Sequence, residues 1–181
     1  MTPTKPTVLR QVVMAVIFLV IVASVAALGS LATIPNTENG WYADAVKVAW
    51  SPPNWLFGPA WSLLYFLIAV SGFLLWRAGY AGTGADPRNV VRNRAQGPLT
   101  IYAIQMILNL LWTPVFFAGY PIVGAAAWWA ALIVILVLIG TVVALIIATA
   151  KWSKLAAWLL VPYLAWLLFA TSLNIGIIAL N

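Results

Sequence analysis

Five long apolar runs, about 11–34, 55–78, 99–118, 122–150 and 155–180, constrain this chain more than any single motif does. Each is long enough to cross a bilayer as a helix, which takes ~20 residues. Composition agrees: of 181 residues, 65% are hydrophobic, 7% are charged and three are acidic, with a mean hydropathy of +1.04. That leaves too little polar surface to solvate a globule. The expectation is an all-α integral membrane protein, a single domain over 1–181 with five transmembrane helices. The first run has a second reading as a cleaved signal peptide, given the basic start and the small residues Ala26, Ala27, Gly29 and Ser30. Its apolar length exceeds the ~7–15 residues of a signal core, which favours a retained helix.

The charges test this arrangement. Five spans put alternate connections on opposite sides of the membrane. Lys5, Arg10, Arg77, Arg88, Arg92, Arg94, Lys151 and Lys154 then share one side, and Lys47 alone holds the other. Such a bias predicts a cytoplasmic N-terminus and an exterior C-terminus, and a bacterial cytoplasmic membrane suits an all-helical chain. It also accounts for the net charge of +6 without nucleic acid, because the basic residues lie between apolar runs and not on a polar domain. The chain has no Cys and no His. Disulfides, thiolate metal sites and cysteine nucleophiles are thereby excluded, along with the commonest general base and haem ligand.

Between the first two runs lies WYADAVKVAWSPPNWLFGPAWSLLY, Trp41 to Tyr65, with four tryptophans, two tyrosines and three prolines. Its opening reads as a short helix on which Asp44 and Lys47, three apart, share a face and can pair. Pro52-Pro53 removes two backbone donors and forces an extended or turned backbone. Asn54 is placed to cap the next helix, along which Gly58, Trp61, Tyr65 and Gly72 recur at helical spacing. Two further stripes appear downstream. Tyr102, Gln105, Asn109, Trp112 and Phe116 recur at steps of three and four, as do Tyr163, Trp166, Ala170 and Asn174.

An amide facing hydrocarbon is costly, so Gln105, Asn109 and Asn174 should point inward. Two readings remain open for the stripes. The amides can be interhelical glue, worth ~0.6 kcal/mol each on average. Alternatively, Trp61, Trp112 and Trp166 hold helices apart around a pocket for a flat apolar ligand. Trp76, Trp152 and Tyr120 fall near helix ends and read as headgroup-level anchors.

The Trp41–Tyr65 stretch resembles the signature of the TspO/MBR family, with one departure: the lysine is usually followed by proline and here Lys47 precedes Val48. Gln105-x3-Asn109-x2-Trp112-x3-Phe116-Phe117 is similar to the family's third-helix pattern. Pro162-Tyr163-x2-Trp166-x2-Phe169-Ala170-x2-Leu173-Asn174 is similar to its fifth. The resemblance implies five helices enclosing one pocket for porphyrins and for isoquinoline- or benzodiazepine-type ligands, with the first loop as a lid. Matched by motif, the implied ligand-binding residues are Tyr42 in the lid, Trp61, Asn109, Trp166 and Ala170, together with Tyr65 and Trp112. Trp61 and Trp166 would hold the ligand by ring contact and Asn109 would offer a polar handle.

The implied function is binding and sensing of a tetrapyrrole such as protoporphyrin IX, with transport as a second reading. Light- and oxygen-dependent porphyrin breakdown is a third, and a helix-packing scaffold a fourth. No nucleophile–base pair, paired carboxylates or metal cluster supports ordinary hydrolytic or acid–base catalysis. No catalytic residue or metal ligand is therefore assigned, and no cofactor is required; any turnover would draw on the porphyrin's own photochemistry. The tail TSLNIGIIALN has neither the Tyr nor the basic residue of the cholesterol motif found in mitochondrial relatives. The expected partners are the porphyrin-like ligand, the lipid bilayer and a second copy of the chain. A homodimer would use small-xxx-small pairs such as Ala23/Ala27, Ala126/Ala130 and Ala127/Ala131.

Overall fold

The computed structural model describes residues 6–80 and 93–181; Lys5, Arg88 and Arg92, and most of the basic second connection, lie outside them. The described residues form α1 (Val8–Glu38), α2 (Trp41–Asp44), α3 (Asn54–Ala78), α4 (Gln96–Phe117), α5 (Tyr120–Val123), α6 (Ala126–Ala150), α7 (Lys154–Leu159) and α8 (Val161–Leu180). Among them there is no strand. α1, α3, α4, α6 and α7–α8 taken together are the five stretches long and apolar enough to cross a membrane. Outward-facing Val16, Val20, Ile107, Ile133 and Leu168 stay exposed, as a hydrocarbon surround requires.

Local chemistry explains where the helices depart from the sequence reading. α1 runs on through Pro35 to Glu38, four residues past Ile34. Pro35 removes the helical donor to the Leu31 carbonyl, and the side chains after it bond the next two carbonyls: Asn36 Nδ2 donates to that of Ala32 (2.9 Å) and Thr37 Oγ1 to that of Thr33 (3.2 Å). The fourth span begins at Ala126 and not at 122. Gly124 interrupts it with φ +64°, a left-handed conformation that glycine adopts without steric cost, so Tyr120–Val123 is a separate turn of helix. Ser153 caps α7 by accepting from the Ala156 N–H (3.2 Å), and the fifth span is broken for one residue at Leu160, just ahead of Pro162. Asn54 does not cap α3. It is the first helical residue, behind Pro53, and its Nδ2 reaches the Thr37 carbonyl at 3.2 Å.

α4 and α6 form the most extensive helix pair, and α1 packs on both α3 and α4. The core runs from Phe18 and Val22 through Ile68, Leu75, Tyr102, Leu138 and Leu145 to Tyr163 and Leu167. Ser71 Oγ donates to the Ala156 carbonyl (2.8 Å) and ties α3 to α7. Trp76 is a core residue and not a surface anchor: it is 5% exposed, pairs edge-on with Tyr80, and carries the Arg10 guanidinium 5.9 Å above its ring. Where α1 and α3 touch, Gly72 leaves room for the rings of Phe18 and Tyr102. A Cβ there would lie 2.7 Å from each.

Gly72→Ala sets two effects against each other. Alanine favours a helix interior by about 1 kcal/mol, but overpacking a tight contact costs about 1–3 kcal/mol. The aromatic rings cannot retreat as a flexible chain end could, so the clash wins. Thermal unfolding in detergent should show Gly72→Ala less stable than wild type.

Candidate ligand-binding site

Toward the end of the bundle away from the basic residues, α1, α3, α4 and α8 diverge around a cavity of about 870 Å³. This is in the upper part of the ~300–1,000 Å³ range of small-molecule sites. α3 supplies Trp61 and Tyr65, stacked with centroids 5.1 Å apart and planes at 30°. α8 supplies Trp166, edge-on to Trp61 at 6.2 Å and to Phe57 at 6.1 Å, with Ala170 one turn further along. α4 supplies Trp112, stacked on Phe116 at 5.3 Å. Neither Trp61 Nε1 nor Trp166 Nε1 bonds to another described residue, so both indole donors remain available to a ligand.

The roof is α2 and the segment after it. Tyr42 lines the cavity from above and is 5% exposed. Burial pushes its phenol above the ordinary value, partly offset by a hydrogen bond with Ser51, so it is neutral at physiological pH. Trp41 anchors the lid through Nε1, which donates to the Phe117 carbonyl at 2.9 Å, and through a ring 4.7 Å from Tyr120. Tyr120 in turn stacks flat on Trp128 at 4.4 Å, so it belongs to this cluster rather than serving as an isolated anchor. The expected Asp44–Lys47 pair does not form. α2 ends at Asp44, so the shared helical face never extends to Lys47. Its Nζ instead sits 4.7 Å from the Tyr42 ring centroid and 3.4 Å from the Ala43 carbonyl.

Six of the seven sequence-picked residues, Tyr42, Trp61, Tyr65, Trp112, Trp166 and Ala170, are thus gathered on one cavity wall and roof. Asn109 is not among the residues that border the cavity. It is 3% exposed and lies behind the wall, where its Oδ1 accepts from Tyr65 Oη at 2.8 Å. Its Nδ2 donates to Tyr163 Oη at 2.9 Å. With both ends of the amide engaged, Asn109 orients Tyr65 and is not a free handle inside the cavity.

Asn174 does act as interhelical glue, its Nδ2 donating to the Trp128 carbonyl at 3.2 Å, although the residue also borders the cavity. Gln105 is fully buried as expected and makes no side-chain hydrogen bond among the described residues.

The sequence reading missed the α1 wall, which includes Ala23, Ala27, Ser30 and Thr33. Its signal was present as small residues at helical spacing, but that pattern equally describes a dimer seam. Of the other pairs, Ala127 and Ala131 are buried inside this chain and cannot reach a second copy.

An all-helical membrane protein whose spans part around one aromatic chamber, roofed by its own first loop, is a narrow class. The chain belongs to the TspO/MBR family, whose family model matches residues 16–180. It is 38% identical to the human translocator protein over 134 residues, covering 74% of this chain and 70% of that one. It is also 38% identical over 154 residues to the tryptophan-rich protein TspO of Archaeoglobus fulgidus, covering 84% and 87%. The tryptophan-rich sensory protein of Cereibacter sphaeroides is 34% identical over 146 residues, covering 78% and 77%.

Proposed function

We propose that this protein is a membrane receptor for flat, largely apolar ligands of the porphyrin type, held against the Trp61 and Trp166 rings under the Tyr42 roof. The carrying observation is the pair of indoles in edge-on contact at 6.2 Å, both bordering the cavity and neither bonded through Nε1 to the described chain. Aromatic contacts of this kind add about 0.5–1.5 kcal/mol each beyond area burial. Ala170, one turn from Trp166, leaves space for the edge of the ligand.

The names of the relatives, sensory and translocator proteins, support a role in sensing or moving such a ligand. The basic end, with Arg10, Arg77, Lys151 and Lys154, fits the cytoplasmic side of the membrane, which would turn the lid outward.

The test is a titration of the purified protein with protoporphyrin IX in the dark, followed by tryptophan fluorescence. Saturable quenching with one-site stoichiometry is expected. Quenching that rises without saturating would mean partition into detergent and would overturn the reading.

A further inference from the structure

We infer that ligands reach the cavity sideways, out of the bilayer hydrocarbon, through a window between α1 and α3; this rests on the binding reading above. The window follows from the path of α1. At the basic end α1 is locked to α3 by Phe18 against Gly72 and by Arg10 Nη2 donating to Tyr80 Oη at 2.8 Å. Further along, α1 leans onto α4 instead. Gly29 is buried there, and a Cβ on it would meet Thr113 Oγ1 at 3.6 Å. At the lid end α1 and α3 are joined once more, by Asn54 Nδ2 on the Thr37 carbonyl.

Between these fastenings small side chains punctuate the larger exposed Leu19, Ile34, Trp55 and Phe66: they are Ala23 and Ala27 on α1, Gly58 and Ser62 on α3. All four are exposed and all four border the cavity, so its wall continues to the outer surface of the bundle. Ala23 to Thr37 spans about 21 Å at 1.5 Å per residue. Measured down from the membrane interface, that carries the opening past the middle of a ~30 Å hydrocarbon layer. The rim also suits acyl chains chemically. Ser30, Thr33 and Ser62 donate their hydroxyl protons to carbonyls of their own helices, so these three hydroxyls offer no free donor to a polar solute.

The roof, by contrast, is fastened. Val46 N–H donates to Asn181 Oδ1 (3.0 Å), and Asn181 Nδ2 returns a bond to the Val46 carbonyl (3.1 Å). Trp50 Nε1 donates to Ser172 Oγ (3.3 Å), in addition to the Trp41 bond to Phe117. Entry from water would break these together; entry through the window breaks none of them. The ligand class is therefore one that first dissolves in the membrane.

Two variants in nanodiscs test the route, using stopped-flow tryptophan quenching by protoporphyrin IX. Gly58→Leu narrows the window at a position where an added Cβ meets nothing within 4 Å, and the variant is compared with wild type after both are shown to be folded and monodisperse. V48C/G176C staples the roof: a Cβ on Gly176 would lie 3.5 Å from the Val48 Cβ, within the ~3.5–4.5 Å a disulfide needs. The natural chain contains no cysteine to compete.

Gly58→Leu should slow both association and dissociation, on the order of tenfold; because Gly58 also borders the cavity, the fall in both rates, and not Kd, is the readout. The oxidised V48C/G176C protein should bind at the wild-type rate. The inference is overturned if the staple blocks association and reduction restores it, or if Gly58→Leu leaves both rates unchanged. A wild type that shows no saturable quenching would instead remove the binding reading, and the window with it.

Discussion

Trp166→Ala should raise the Kd for protoporphyrin IX about thirtyfold, the equivalent of ~2 kcal/mol for an aromatic anchor at the centre of a contact. The ring borders the cavity and is only partly buried, touching Phe57, Trp61 and Phe169 with centroids between 5.6 and 6.2 Å. Truncating a tryptophan packed wholly in a core costs about 3–5 kcal/mol of stability. Here much of one side faces the cavity, so the loss of stability should be smaller than that. Trp166→Phe should fall between wild type and alanine in affinity. Fluorescence titration of variants first shown to be folded and monodisperse measures this. An unchanged Kd with a lowered melting temperature would mean that Trp166 only packs helices, and the scaffold reading would replace the receptor.

Asn109→Leu should show the opposite division of effects. The amide joins Tyr65 on α3 to the wholly buried Tyr163 on α8, at 2.8 and 2.9 Å. Leucine of similar size would leave two hydroxyls without their partner. An orphaned buried polar group costs about 1–3 kcal/mol, whereas interhelical bonds in membranes are worth ~0.6 kcal/mol on average and at most about 1.7. Two such bonds, one of them to a group with no exposure at all, suggest a loss near 2 kcal/mol. That corresponds to a drop of about 4–8 °C in melting temperature for a chain of this size. Affinity should fall less than for Trp166→Ala, because Asn109 acts through the position of Tyr65. Tyr65→Phe beside the double variant separates the two: if Asn109 works through Tyr65, their effects on Kd will not add. A large rise in Kd with no thermal penalty would mean instead that Asn109 touches the ligand directly.

These contrasting outcomes show how far the sequence could be read. The spans were legible because hydrocarbon forces every backbone group into internal pairing, and only long apolar runs meet that demand. The inward stripes were legible because helical periodicity puts Tyr102, Gln105, Asn109 and Phe116 on one face, and all four are buried. Helix ends were less so. Hydropathy ends the first run at about 34, but the polar residues that follow continue the helix, and α1 runs through Pro35 to Glu38. Ala23 and Ala27 were ambiguous because small residues permit a close helix contact and equally permit an opening.

The sequence by itself determined the membrane setting, the number of spans and the family, and it picked out five aromatic residues that border the chamber: Tyr42, Trp61, Tyr65, Trp112 and Trp166. Hydropathy and helical period are local properties, and each is written in the order of the residues. The tertiary structure alone decided how polar atoms were allotted and where helices part. Asn109 is spent on two tyrosines, Asn181 fastens the lid from 135 positions away, and α1 leans from Gly72 on α3 toward Thr113 on α4. A hydrogen-bonding group can satisfy only a few partners, and which ones come within 3 Å depends on how distant helices cross, something no local pattern encodes.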